Sequence, residues 1–318
     1  MSRSRMAWMI VALALSLPAL GLWAQNRKPA KRAKLPEFNE SQTSRIFFTD
    51  AFAKAEGERP ANPNASAAPT AAPGAPGGTA SEAAVSAYAW SKIISSTTIE
   101  DEVKAIKFSA DTNVKTPTDF AGRGYKVVRR DFSMLAAMFA IINEYDGDVR
   151  WKKDAAAARD LFARTASNAK AGGNINVYNE AKKRRDDLLD LLNGSSLAAK
   201  AEEQANNWEH IVDRSPVMQR LETAAEKNLA PWTSSKGEFS SNIEQVLHEA
   251  EIVAALSEVL TREGMTDADD DDYVAYARLM KTSALDVVAA VKLNNDEQAR
   301  KATGEIAKAC SDCHDNYR

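Results

Sequence analysis

The chain has 318 residues, which is enough for two ordinary domains or for one domain with extensions. Alanine is abundant, aromatic residues are few, and proline and glycine concentrate in one segment, so we expect helices elsewhere. The formal net charge of −3 gives no basic footprint of the kind that binds nucleic acid, and we expect no such partner.

The N-terminus has the pattern of an export signal. Arg3 and Arg5 precede an apolar stretch over residues 6–20, and Ala24 ends an imperfect cleavage site. We therefore predict a signal peptide over residues 1–24 and a periplasmic protein. The apolar run is also close to the ~20 residues that a spanning helix needs, so an uncleaved tether in the inner membrane is the alternative.

Two segments separate this signal from the body of the chain. Residues 25–56 are polar and contain a short phenylalanine-rich motif, Ile46–Phe52. Residues 57–82 are rich in proline, alanine and glycine and contain too little apolar surface to fold, which predicts a linker.

Residues 83–214 carry a first set of helical patterns. Apolar residues recur at helical spacing in six stretches, which are residues 84–94, 99–108, 125–145, 151–170, 177–192 and 197–212. We predict a helical domain from them.

Residues 215–318 carry a second set. It begins at Ser215-Pro216, a favourable N-cap followed by proline in the first turn. Four helices are predicted, over residues 215–229, 242–260, 273–291 and from 296 to the end of the chain. Four helices joined by short loops indicate an up-down bundle.

The last helix ends in Cys310-Ser311-Asp312-Cys313-His314, which contains both cysteines of the chain. C-x-x-C-H is the attachment signature of c-type haem. Each thiol adds to one vinyl group of the porphyrin, and His314 then lies under the iron as its proximal ligand. We predict one covalent haem c.

Three other readings of the motif are weaker. A thioredoxin-like redox pair is expected beside a βαβ pattern, which is not visible here. A zinc site needs two further ligands, and the other histidines, His210 and His248, are far away in sequence. A structural disulfide between Cys310 and Cys313 leaves the adjoining histidine unexplained.

The four helices that close on a C-terminal C-x-x-C-H, followed by Tyr317-Arg318, resemble the cytochrome c′ family, the class II c-type cytochromes. The resemblance implies a four-helix haem bundle. It also implies that His314 is the proximal ligand and that the basic residue a turn later, Arg318, lies beside it.

The resemblance leaves the sixth iron ligand open. Met-ligated relatives have, in the first helix, an arginine followed four residues later by methionine, whereas Arg220 is followed at that spacing by Ala224. Met218 and Met280 are the other candidates, and Met218 is the one we select. The alternative is that both methionines fill the core, as methionines at helical spacing usually do.

The first set resembles a second copy that has lost its cysteines. Residues 205–214 keep an alanine, a histidine and a terminal arginine at the spacing of residues 309–318, with His210 at the position of the haem histidine. Asn206 and Glu209 occupy the cysteine positions. The predicted fold is therefore all-α, with a cytochrome c′-like bundle preceded by a second helical bundle.

Two functions fit this pattern. In the first, the protein is a mono-haem electron carrier that works outside the inner membrane with a redox partner protein. In the second, the iron is five-coordinate and binds a small gas such as nitric oxide. No histidine of the second set is placed as an acid/base group over the iron, so we expect no enzyme. The sequence leaves open whether the bundle forms a homodimer.

Overall fold

Within residues 89–201 and 205–317, which the computed structural model describes, every regular element is helical. The predicted all-α class is confirmed. Eight longer helices are α1 Ser96–Asn113, α2 Tyr125–Glu144, α3 Ala155–Lys170, α4 Ile175–Leu192, α5 Arg214–Glu222, α6 Ile243–Leu260, α7 Asp271–Lys292 and α8 Asp296–His314. Shorter helical segments are Trp90–Lys92, Pro117–Asp119, Phe120–Gly124, Lys152–Asp154, Trp208–Ile211, Thr223–Leu229, Ala230–Trp232 and Lys236–Ser241.

The eight helices form two rings of four. In the first bundle, α1–α4, each helix packs against the next and α4 returns to α1. In the second bundle, α5–α8, the same order closes through contacts of α8 with the continuation of α5. The four-helix bundle predicted for the C-terminal part is confirmed. All described residues belong to one compact unit, and α2 packs directly on α5.

Polar side chains fix where several of these helices begin. Ser95 caps α1 by accepting a hydrogen bond from the Thr98 amide, and Asn295 caps α8 in the same way through Gln298. At α7 the cap is Asp270, whose carboxylate accepts from two amides. Asp271 and Asp272 follow in the first turn, where negative charge is favoured by the helix dipole.

Two of the helical segments are π-helical turns. Phe120–Gly124 leads into α2, and Thr223–Leu229 continues α5. At Gly124 the chain passes so close to α1 that an added Cβ would lie 2.4 Å from the Asn113 carbonyl oxygen, which explains the glycine. Such turns shift the side chains that follow them around the helix and occur frequently at functional sites.

Aromatic rings fill the interior of the first bundle. Phe139 of α2 stacks on Phe162 of α3 with 5.7 Å between ring centroids, and Phe132 meets Phe162 edge-on at 5.3 Å. All three side chains are almost completely buried. Such pairs add stabilisation beyond the buried apolar area alone.

The predicted helix over residues 197–212 is wrong. Of the residues in this stretch that the structure describes, only the turn Trp208–Ile211 is helical, and residues 193–201 and 205–207 are irregular. Two hydrogen bonds hold this irregular stretch on the first bundle. The Asp154 carboxylate accepts from the Leu197 amide, and the Asn206 side chain donates to the Ala140 carbonyl of α2. Leu197, Trp208, Ile211 and Val212 are the buried apolar residues among those described in this stretch.

This finding removes the proposed alignment of residues 205–214 with residues 309–318. His210 is exposed on a single helical turn, whereas His314 is the last residue of a long helix. The last helix of the first bundle is α4, which ends at Leu192. Both bundles have four long helices in the same order, which is compatible with a duplication. The duplication itself stays a prediction.

Two boundaries also differ from the predicted ones. Helix α5 begins at Arg214, one residue before the predicted cap Ser215, and Asp213 precedes it in extended conformation. Of the predicted helix over 84–94, the described part contains only the 3₁₀ turn Trp90–Lys92.

Several predictions lie outside the described residues. They concern the signal or anchor over residues 1–24, the segments 25–56 and 57–82, and Arg318. Among the helices that the structure describes, none combines the length and apolar character that crossing a membrane requires.

Candidate haem site

A cleft of about 700 Å³ opens in the second bundle between α5, α7 and α8. This volume lies within the ~300–1,000 Å³ that is usual for pockets of small molecules and cofactors. The predicted site residues Met218, Cys310, Cys313 and His314 all line it, as does the alternative candidate Met280.

Helix α8 presents the haem motif to this cleft. Positions three and four residues apart share one helix face, so Cys310, Cys313 and His314 form one stripe in the last turn of α8. The cysteines are half-buried with free thiols, and His314 is exposed. Cys310 and Cys313 are therefore not joined in the structural disulfide that was an alternative prediction.

The environment raises the pKa of both thiols. Burial raises the pKa of Cys310 to about 11, so this thiol is protonated at neutral pH. Burial also raises the pKa of Cys313, although the guanidinium of Arg214 acts in the opposite direction.

Helix α7 supplies aromatic walls. Tyr317 lies edge-on to Tyr273 and Tyr276, with centroid distances of 5.3 Å and 6.4 Å. Its hydroxyl donates to Asp270 over 2.7 Å, and this bond raises the pKa of Tyr317 to about 12. The acidic run at the start of α7 is thereby joined to the residues that follow the haem motif.

Tyr273 is the most buried polar residue of the cleft wall. Its side chain is 1% exposed, and its hydroxyl makes no hydrogen bond with the residues that the structure describes. Burial raises the pKa of Tyr273 to about 12, so the hydroxyl keeps its proton.

The two candidate methionines lie in different places. Met280 of α7 is buried, and its sulfur is 3.6 Å from the sulfur of Cys310. Met218 is half-buried and lines the cleft from α5, a different helix from the one that carries His314.

Arg214 is a site residue that the sequence reasoning missed. It lines the cleft, pairs with Asp267, and lies 5.9 Å from the centroid of the Tyr273 ring. Arg214 and Met218 are four residues apart in the first helix of the second bundle, which is the arginine–methionine spacing sought at Arg220 and Ala224. The signal was present in the sequence, but the helix was predicted to begin one residue after Arg214.

The residues of the cleft fit a c-type haem. Two thiols and a histidine lie on one face of α8, and methionines line the cleft from α5 and α7. Among the residues described, no three histidine, cysteine or carboxylate side chains cluster as they do around a metal ion held by the protein alone. His210 and His248 do not line the cleft.

Comparison with known proteins identifies this part of the chain. Residues 209–318 match the family model described as Cytochrome C'. Neither the curated proteins nor the solved structures contain a match to the chain. The matched residues span α5–α8 and the whole cleft, and the family implies a c-type haem protein. The match confirms the predicted resemblance to the cytochrome c′ family for residues 209–318.

Proposed function

We propose that the protein is a mono-haem c-type cytochrome that transfers electrons to or from a redox partner protein outside the inner membrane. Cys310 and Cys313 hold one haem c covalently, His314 is the proximal ligand and Met218 is the sixth. The observation that carries the proposal is that Met218 and His314 line one cleft from two different helices.

The thiols attach the group without an external oxidant. Cys310 and Cys313 would hold the haem through two thioether bonds, because addition of a thiol across a vinyl group breaks the S–H bond and the C=C π bond and forms one C–S and one C–H bond. Both thiols are free, and the protonated Cys310 carries the hydrogen that this addition needs. When bound, the haem iron supplies a centre that accepts and returns one electron.

The methionine on α5 decides between electron transfer and gas binding. A thioether on the sixth position blocks binding of a gas and keeps the ligand set the same in both oxidation states. Met280 is less suited to this role because its sulfur lies against Cys310, whose sulfur joins the rim of the porphyrin. Leu221, Ala225 and Leu260 supply apolar lining near Met218, which also suits a gas if Met218 stays unbound.

The optical spectrum of the purified protein tests the proposal. We expect a low-spin ferric haem with the weak near-infrared band of methionine ligation. In Met218→Leu the band should disappear and the haem should become high-spin, whereas the control Met280→Leu should keep both features. A wild-type haem that is high-spin and takes up nitric oxide supports the gas-binding alternative instead.

Two further parts of the proposal rest on the sequence. Export is proposed from Arg3, Arg5 and the apolar residues 6–20, with either a cleaved signal or a membrane tether. We also propose that the protein has no enzymatic activity, which steady-state assays with peroxide would test.

A further inference from the structure

Helix α5 has two faces with different partners. One face carries Arg214 and Met218 and lines the haem cleft. Arg220 does not line the cleft, and its side chain pairs with a glutamate of the first bundle. The following inference rests on the proposed function, because it concerns how the helix that carries Met218 is held.

The strongest contact between α5 and the first bundle is a shielded ion pair. Arg220 donates from Nε and Nη2 to the two carboxylate oxygens of Glu102 in α1, over 2.7 Å and 2.9 Å. A third bond runs from Nη1 to Glu249 of α6 over 2.6 Å. The side chains of Arg220 and Glu102 are 12% and 6% exposed, so water screens the pair weakly. Removing the charge of Glu102 leaves the buried guanidinium with Glu249 as its remaining carboxylate partner in this cluster, which weakens its hold on the first bundle.

The surrounding groups favour the charged state of this cluster. Burial alone would raise the pKa of Glu102, but the Arg220 guanidinium, with smaller effects of His248 and Arg130, holds that pKa below its ordinary value. His248 Nε2 lies 3.6 Å from a Glu102 oxygen, and Asn228 donates to Glu249. Both carboxylates therefore have partners on α5 or its continuation.

The first bundle also holds α5 at its beginning. Asp213, immediately before the helix, pairs with Arg129 of α2 and with Lys170 of α3, each over 3.0 Å. These groups are more exposed, and such pairs contribute little on their own. Together with Arg220 they bracket Met218, which lies between the two attachment points.

We propose that the first bundle is a positioning element for the haem site. Glu102, through Arg220, fixes the helix that places Met218 beside the cleft, so methionine coordination of the iron depends on a residue outside the matched family region. Glu102 is a positioning residue, since it touches neither Met218 nor the cleft. This assigns a role to helices α1–α4.

The variant Glu102→Gln tests this role in the full-length, haem-loaded protein. It keeps the size of the side chain but removes the charge that Arg220 binds. Hydrogen exchange followed by mass spectrometry reports the opening of α5, and the ferric spectrum reports methionine ligation. We expect exchange in α5 to accelerate on the order of 10-fold, since hydrogen bonds to charged groups are the stronger ones. We also expect part of the haem to become high-spin.

The matched control is Asp187→Asn. It breaks the ion pair with Arg184 within α4, at 2.7 Å, where the arginine is 3% exposed. This change should lower stability without altering exchange in α5 or the spectrum. If Glu102→Gln does not fold, Glu102→Asp keeps the charge on a shorter side chain and should give a smaller change in the same direction.

The outcomes separate the inference from the proposed function. Unchanged exchange in α5, equal acceleration in the control, or an accelerated α5 with intact methionine ligation would each overturn the inference while the cytochrome function stands. A wild-type haem without methionine ligation overturns the proposed function, and with it the claim that Glu102 positions an iron ligand.

Discussion

The two bundles have the same number and order of long helices but different interiors. In the first bundle, Phe132, Phe139 and Phe162 fill the space between α2 and α3 with contacting rings. In the second bundle, a cleft of about 700 Å³ between α5, α7 and α8 is lined by thiols, two methionines and tyrosines. One ring of four helices is therefore compatible with a filled interior and with a cleft, depending on the side chains that point inward.

The largest expected effect is on the second bundle, through its thiols. In the double variant Cys310→Ala, Cys313→Ala, no thioether can form, so acid acetone should extract all of the haem. The single variants should each keep one thioether and retain the haem under the same treatment. Absorbance of the organic phase measures this, and haem that stays with the double variant would contradict covalent attachment through these residues.

The next effect concerns the packed interior of the first bundle. Phe162→Ala removes a ring that contacts two others and is 1% exposed, so the free energy of unfolding should fall by about 3–5 kcal/mol. Urea unfolding followed by circular dichroism gives the value. The control is Phe108→Ala in α1, where the ring is 72% exposed and the change should stay within about 0.5 kcal/mol. Equal losses in both variants would refute a packed aromatic core.

The contact between the bundles should respond to acid. The pKa of Glu102 is lower in the folded protein than its ordinary value of 4.5, so the folded state binds fewer protons there. Its stabilising contribution is complete above pH 4.5 and is lost as the pH falls through the lowered pKa. The difference in free energy of unfolding between wild type and Glu102→Gln should be about 1.5–3 kcal/mol at neutral pH. This difference should shrink as the pH falls below 4.5. A difference between the two proteins that grows towards low pH would contradict a lowered pKa of Glu102 in the folded state.

The smallest expected effect is a difference in free energy of unfolding between two variants that each lose a helix cap, only one of which also loses a hydrogen bond between the bundles. Ser95 caps α1 and also donates its hydroxyl to Glu251 of α6 over 2.7 Å, whereas Asn295 caps α8 through Gln298. Ser95→Ala and Asn295→Ala should each cost about 1 kcal/mol for the cap. The extra loss in Ser95→Ala, read from urea midpoints, measures the bond to Glu251. Without any extra loss, this hydrogen bond between the bundles contributes nothing.

Sequence patterns predicted the second bundle better than the first. The helix predicted over residues 242–260 and the haem motif at the end of α8 agree with the structure, because apolar periodicity and the C-x-x-C-H spacing are local signals. The stretch over 197–212 failed because Leu197 and Trp208 are buried by contacts with distant residues rather than by helix formation. Local propensity does not report such tertiary contacts.

The site was predicted in part for the same reason. Cys310, Cys313 and His314 lie in one short motif, and the structure places them on one face of a helix. Arg214 was not predicted as a site residue, because the Ser215-Pro216 signal placed the start of the helix after it. Arg220 seemed to be a failed site residue, but the structure shows that it pairs with Glu102, 118 residues away, which no spacing rule in the sequence could indicate.

The packing of α2 on α5 has a consequence for how the protein behaves on dilution. Two separate bundles that associate through this surface would come apart at low concentration, whereas two bundles of one chain meet at an effective concentration in the millimolar range. The Glu102–Arg220 contact is therefore made regardless of how many molecules are present. Any dependence of the haem spectrum on protein concentration would have to come from another surface.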